Sequence, residues 1–282
     1  MATTDVAWAC VTCGTNVSTP HCPACGEGEI RAGDLGLRHL AVDAFHSLTD
    51  VDSRLIRSFR ALLFRPGALT TAYMEGPRKP YLSPVQVFLI ANLLFFAVQA
   101  LTLDKVFSTP LQSHLHGQDW SPLAQNMVAS HLGAKHMALE AYAPVFDHTV
   151  SVNARALVFV MALPFALLLM LLFVRRARPF AVHVVFSLHF YAFQLLLLCA
   201  LLVAFLVQTW FGGDGMPSPA MDTASFAFEL GVSAIYLYVA IGKVYGVGIA
   251  RRIISVTALI VAAGAGVLGY RFFIFVVTLY ST

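Results

Sequence analysis

Residues Pro84 to Leu103 read PVQVFLIANLLFFAVQALTL, twenty residues without a charge. As a helix rising about 1.5 Å per residue, this stretch reaches about 30 Å, the thickness of a bilayer's hydrocarbon core. The composition agrees: 58% of the 282 residues are hydrophobic, 12% are charged, and the mean hydropathy is +0.74. Soluble domains carry about 25% charged residues. A chain this apolar cannot cover a water-exposed surface, so the sequence predicts a membrane protein rather than a pair of globular domains. Four more apolar stretches follow, about Ala156 to Val174, Val182 to Val207, Phe226 to Val247 and Ile253 to Leu279. The fold class expected is an all-α integral membrane bundle of about five transmembrane helices, spanning residues 84–282.

Basic residues punctuate these stretches and set the expected orientation. Arg175, Arg176 and Arg178 mark a tight turn between the second and third spans, and Arg251 and Arg252 separate the fourth from the fifth. With an N-terminus inside, 18 Lys and Arg fall on the cytoplasmic side except Lys105, Lys135, Arg155 and Arg271. Basic residues resist translocation, so this asymmetry predicts N-terminus inside, C-terminus outside and an odd number of spans. Residues 104–153 then form one external loop, long enough for a short helix such as Leu123 to Ala141. Residues 1–30 contain no apolar signal-peptide core and hold four of the five cysteines, so they are expected to stay in the cytosol, where thiols remain reduced.

Those cysteines form two knuckles, Cys10-Val11-Thr12-Cys13-Gly14 and Cys22-Pro23-Ala24-Cys25-Gly26. Each CxxC puts two thiolates on one side of a tight turn, and the following glycine relieves the backbone there. Four thiolates suit tetrahedral Zn2+, with Cys10, Cys13, Cys22 and Cys25 as ligands of a cytoplasmic zinc ribbon spanning residues 1–30. Four protein ligands leave no open position for catalysis. A redox role lacks the surrounding βαβ pattern; an iron site and His21 as a substitute ligand are the other readings.

Between ribbon and bundle, residues 31–83 are expected to form cytoplasmic or interfacial amphipathic helices. In a helix over Ser53 to Arg65, Leu55, Ile56, Phe59, Leu62 and Leu63 share one arc, while Arg54, Arg57, Arg60 and Arg65 take the other. Two arrangements are open. The helix lies in the membrane plane with its arginines as membrane-surface contacts at anionic headgroups, or its apolar face packs on the bundle. Asp50, Asp52 or Ser53 can cap its start, and Pro66-Gly67 ends it.

The two CxxCG knuckles, Phe64-Arg65-Pro66-Gly67 and Gly76-Pro77-Arg78-Lys79-Pro80-Tyr81-Leu82-Ser83-Pro84 together resemble a bacterial membrane-protein family known only as a domain of unknown function. Phe186-Ser187-Leu188-His189-Phe190-Tyr191, Tyr236-Leu237-Tyr238 and Tyr245-Gly246 are similar to it as well. The resemblance implies a zinc ribbon on a helical bundle in the bacterial inner membrane, and it implies no activity.

Ionisable or polar groups inside spans are functional candidates by default. His183, His189, Tyr191, Tyr236 and Tyr245 make one possible intramembrane site, although six residues place the two histidines on different faces. For His189 the readings are a proton relay or headgroup contact, or an interhelical hydrogen bond to a tyrosine of the fourth span. Glu229 and Arg271 can form an outer ion pair. His114, His116, His131, His136 and His148 fall in the external loop, with His136 and Glu140 on one helical face. Ala262, Ala265, Gly266 and Gly269 give small-residue spacing suited to close packing, within the monomer or in a homo-oligomer.

No GxSxG, Walker A, Rossmann or kinase pattern occurs. The net charge of +3 is too small to point to nucleic acid. The leading expectation is a membrane interaction or assembly protein whose partners are membrane lipids and a protein docked on the ribbon. A small-molecule or lipid transporter is the second, although no inverted repeat is evident and Pro164 is the one interruption of a span. A lipid-headgroup enzyme around His189 is the third. A cavity open at His189 favours the latter two; a closed bundle favours the first.

Overall fold

The computed structural model describes residues 8–28, 52–101, 107–210 and 219–282. Asp50, Arg31, Arg38, Lys105 and the loop with Gly212, Gly213, Gly215 and Pro217 lie outside the described residues. The fold is an all-α membrane bundle with a small four-cysteine module at its N-terminus that fits a zinc ribbon.

The module is a hairpin of β1 (Trp8–Ala9) and β2 (Asn16–Val17), paired antiparallel with Trp8 opposite Val17. Cys10, Val17 and Cys22 form its miniature core. Helix α1 (Asp52–Phe64) follows, and the chain turns at Pro66-Gly67 into α2 (Ala68–Glu75). At that turn Gly67 has φ 78°, and a Cβ there would lie 3.1 Å from the Cα and carbonyl oxygen of Ala240. Glycine is therefore needed twice, for the left-handed conformation and for the approach of one backbone to another. Behind this corner α2 buries Leu69, Thr70, Ala72 and Tyr73 in the bundle.

Helix α3 (Pro84–Gln99) starts with a reciprocal cap. The Ser83 hydroxyl accepts from the Gln86 amide at 3.3 Å, while the Gln86 side chain accepts from the Ser83 amide at 3.0 Å, and Pro84 takes the first helical position. At the other end α3 stops at Gln99, short of the Leu103 expected, and at 16 residues it rises only about 24 Å.

The next apolar helix begins at Leu139, well before Ala156. Helices α6 (Leu139–Leu157) and α7 (Ala162–Leu172), joined by a 3-10 turn at Val158–Met161, make a 34-residue rod. Its first half carries Glu140, Asp147, His148 and Arg155, which hide it from a hydropathy reading, yet Tyr142, Phe146, Val150 and Ala154 recur every fourth residue and are buried. Three long helices follow: α8 (Phe180–Trp210), α9 (Pro219–Tyr245) and α10 (Ile249–Ser281). Together with the rod they are, among the described residues, the four helices long and apolar enough to cross a membrane.

At 33 residues α10 is about 50 Å long and outreaches a 30 Å core. Its last turns support a helical cap made by α4 (Leu111–His116), α5 (Ser121–Lys135) and the start of α6. Phe275 lies 4.8 Å from the His114 ring, Phe272 lies 5.7 Å from Trp120, and Tyr142 hydrogen-bonds Thr282 at 2.6 Å. The region expected as one loop with a helix over Leu123 to Ala141 is thus folded differently. His136 ends α5 in the left-handed conformation at φ 51°, and Glu140 sits in the first turn of α6, so the two do not share a helical face.

Candidate metal centre and intramembrane polar site

The two knuckles are built alike. In the first, the Cys10 amide donates to Thr15 at 2.9 Å and Gly14 donates back to Cys10 at 2.8 Å; in the second, Cys22 donates to Glu27 at 2.7 Å and Gly26 to Cys22 at 2.8 Å. Gly14 and Gly26 both have positive φ, 75° and 72°. This repetition aims all four sulfurs inward, with Cys10 and Cys25 at 3.4 Å, Cys13 and Cys22 at 3.5 Å, and every ligand atom within 4.8 Å of the others. Sulfurs bound to one tetrahedral ion at about 2.3 Å stand about 3.8 Å apart. The set therefore fits a thiolate-held metal ion. The Thr15 hydroxyl first and the Thr15 backbone second lower the Cys13 thiol to about 6. Among the described residues this is the single group of three or more such ligands.

Sequence reading gave Glu27 no role, and the structure makes it the ribbon's fastening. Its side chain, 4% exposed, accepts from the Lys79 amide at 3.1 Å and from the Thr12 hydroxyl at 2.6 Å. Arg78, next along the chain, donates to the Tyr73 carbonyl at 3.1 Å and lays its guanidinium 4.6 Å over the Tyr73 ring. Ser58 of α1 accepts from the Leu82 amide at 2.8 Å. The segment from Gly76 to Ser83 thereby links the ribbon, α1, α2 and the start of α3.

The five intramembrane residues singled out from sequence fall in three places. His183 Nδ1 meets the Tyr245 hydroxyl at 2.8 Å with the rings stacked, and Phe173 stacks on the other face of Tyr245 at 4.0 Å. His189 does not pair with a tyrosine of the fourth span; its Nδ1 meets Thr70 Oγ1 of α2 at 2.9 Å, and both residues are buried. Tyr236 stacks on Phe193 at 3.9 Å and joins His189, Thr70, Gly67 and Arg65 around a cleft of about 10 Å³, room for one water molecule. Tyr191 lies against Phe165 of α7.

Next along α8 and α9, Glu229 faces Gln194 at 3.5 Å, and Ser233 donates to Gln194 at 2.8 Å. Arg271 instead lies within reach of His114, whose ring is lowered to about 4 by burial first and by the Arg271 charge second. Arginines at the ribbon end close helix C-termini: Arg251 donates to Leu172 and Arg176 to Gly246, each at 2.8 Å.

With this geometry in place, comparison with known families adds one match. A family model described as "Protein of unknown function (DUF3667)" matches residues 52–96, which is α1, the Gly67 corner, α2 and α3 as far as Phe96. No curated protein and no solved structure matches the chain. The matched segment contains the Gly67 corner, Thr70, the Arg78 staple and the Ser83 capping box. It is thus the part that wedges the chain into its own bundle and receives the ribbon.

Proposed function

We propose that this chain is a multi-pass protein of the bacterial inner membrane, N-terminus in the cytoplasm, whose zinc-bound ribbon is a fixed docking knob for a protein partner. The observation that carries the reading is the buried Glu27 carboxylate, which fastens the ribbon to the loop before α3 and so holds it at one orientation on the bundle. A ribbon serving only to fold its own segment needs no such anchor. The remaining knuckle surface is open, with Val11 50% exposed at its tip. Cys10, Cys13, Cys22 and Cys25 hold Zn2+ and create the shape that is presented; the ion itself, fully coordinated, supplies fold and no chemistry.

The burial of His189 supports docking over transport or lipid chemistry at that residue. His189 is buried and paired, and the cleft beside it admits a water molecule and no headgroup. Photo-crosslinking from position 11 of the full-length protein in cells tests the reading, with position 123 on the far cap as control. The expected result is one defined protein adduct from position 11, absent from position 123 and lost in Cys10→Ser/Cys13→Ser. An adduct shared by both positions, or none from position 11, contradicts it.

A further inference from the structure

Helix α1 packs one face on the bundle and leaves the other exposed. Its inner face, Ser58, Ala61 and Leu62, is buried against the bundle. Its outer face keeps Ile56 71% and Phe64 77% exposed, with Leu63 beside them. At 100° per residue, Ile56, Arg57, Arg60, Leu63 and Phe64 occupy one arc of about 120°. Apolar and cationic side chains are therefore interleaved on a single face, and Arg65 follows at the helix end. Arg57, Arg60 and Arg65 are exposed and make no hydrogen bond or ion pair among the described residues.

The depth of this face is set by the corner that follows it. Gly67 abuts Ala240, five residues or about 7.5 Å inside the end of α9 at Tyr245, and Thr70 reaches His189 farther in. A helix attached there lies beside the ends of the spans, at the boundary between acyl chains and headgroups. Apolar side chains 5–10 Å into such a boundary are stabilised, and arginine forks bind phosphate oxygens in pairs.

We infer that the outer face of α1 is a binding site for anionic phospholipid, with Arg57 and Arg60 holding the phosphate headgroup and Ile56, Leu63 and Phe64 lying among the acyl chains. The site is separate from the ribbon, so it stands whether or not the ribbon docks a protein. Arg175 and Arg178, exposed in the turn before α8, lie at the same end of the bundle but off α1, and they serve as the control.

Native mass spectrometry of the delipidated full-length protein, offered equal dioleoyl phosphatidylglycerol and dioleoyl phosphatidylcholine, tests the inference. Each arginine near a headgroup is worth about five-fold in affinity. The wild type should retain phosphatidylglycerol at least about five-fold over phosphatidylcholine. Arg57→Ala/Arg60→Ala should abolish that preference. The corresponding lysine variant, and Arg175→Ala/Arg178→Ala, should keep it. Equal retention by the wild type, a preference that survives the double alanine variant, or its loss in the Arg175/Arg178 control overturns the proposal.

Discussion

At the scale of single residues, the structure separates side chains that sequence reading had to treat alike. Half of the ten histidines fall between residues 104 and 153, and nothing in their spacing distinguishes them. His114 is the buried one, 1% exposed, with Trp120 Nε1 donating to its Nδ1 at 3.3 Å. That nitrogen accepts, so the ring is neutral. Its value falls from 6.5 to about 4 on folding, so the unfolded chain binds more protons between those pH values and stability rises with pH across that window. Thermal unfolding in detergent should show full stability above pH 6.5 and a decline on the order of 2–3 kcal/mol towards pH 4. His114→Phe should flatten that slope; an unchanged slope would assign it to other groups. The pairs that matter most were illegible for a simpler reason. Thr70 and His189 are separated by 119 residues, Glu27 and Lys79 by 52, and neither pairing leaves a local pattern. By contrast the four cysteine ligands were legible, because CxxCG spacing alone sets the turn that aims them.

At the scale of elements, hydropathy found the spans but misjudged their ends wherever amphipathic turns adjoin them. The rod from Leu139 to Leu172 begins with polar turns that pack on α10, and α3 stops early at Gln99. The amphipathic reading of α1 was right in period: Leu62 is buried and Leu55 and Phe59 pack on the core, while Ile56 and Leu63 of the same arc stay exposed and Ser58 and Ala61 complete the inner face. Tertiary contact decides that choice, and the helical wheel cannot. The corner after α1 offers a sharper test. Gly14 and Gly67 share a left-handed backbone, φ 75° and 78°, but a Cβ at Gly14 meets nothing within 4 Å, whereas one at Gly67 meets the Ala240 backbone at 3.1 Å. Gly14→Ala should cost about 1 kcal/mol. Gly67→Ala should cost more than that, about 2–4 kcal/mol, through added overpacking, and should expose the α2 amides to hydrogen exchange. Equal effects in thermal unfolding would show that the corner is not wedged against α9.

At the scale of the whole molecule, the described chain has two polar ends joined by the helical bundle. The ribbon end gathers α1, α2, the Gly76 to Ser83 segment and the arginines that cap α7 and α9. The far end is a helical cap built on the overlong α10. Residues 52–96, the family-matched segment, run from the ribbon end into the bundle and contact both the ribbon and His189. The central claim is that a metal-folded ribbon is held on this bundle by Glu27. Hydrogen–deuterium exchange of the full-length protein, with and without a zinc chelator and in Glu27→Ala, measures that attachment at the Lys79 amide. The account expects protection at Lys79 in the metal-loaded protein. It expects that protection to be lost on chelation and in Glu27→Ala, where the Lys79 amide and the Thr12 hydroxyl lose their acceptor, while α8 and α10 stay protected throughout. A Lys79 amide that exchanges freely with metal bound, or that remains protected without Glu27, would contradict it.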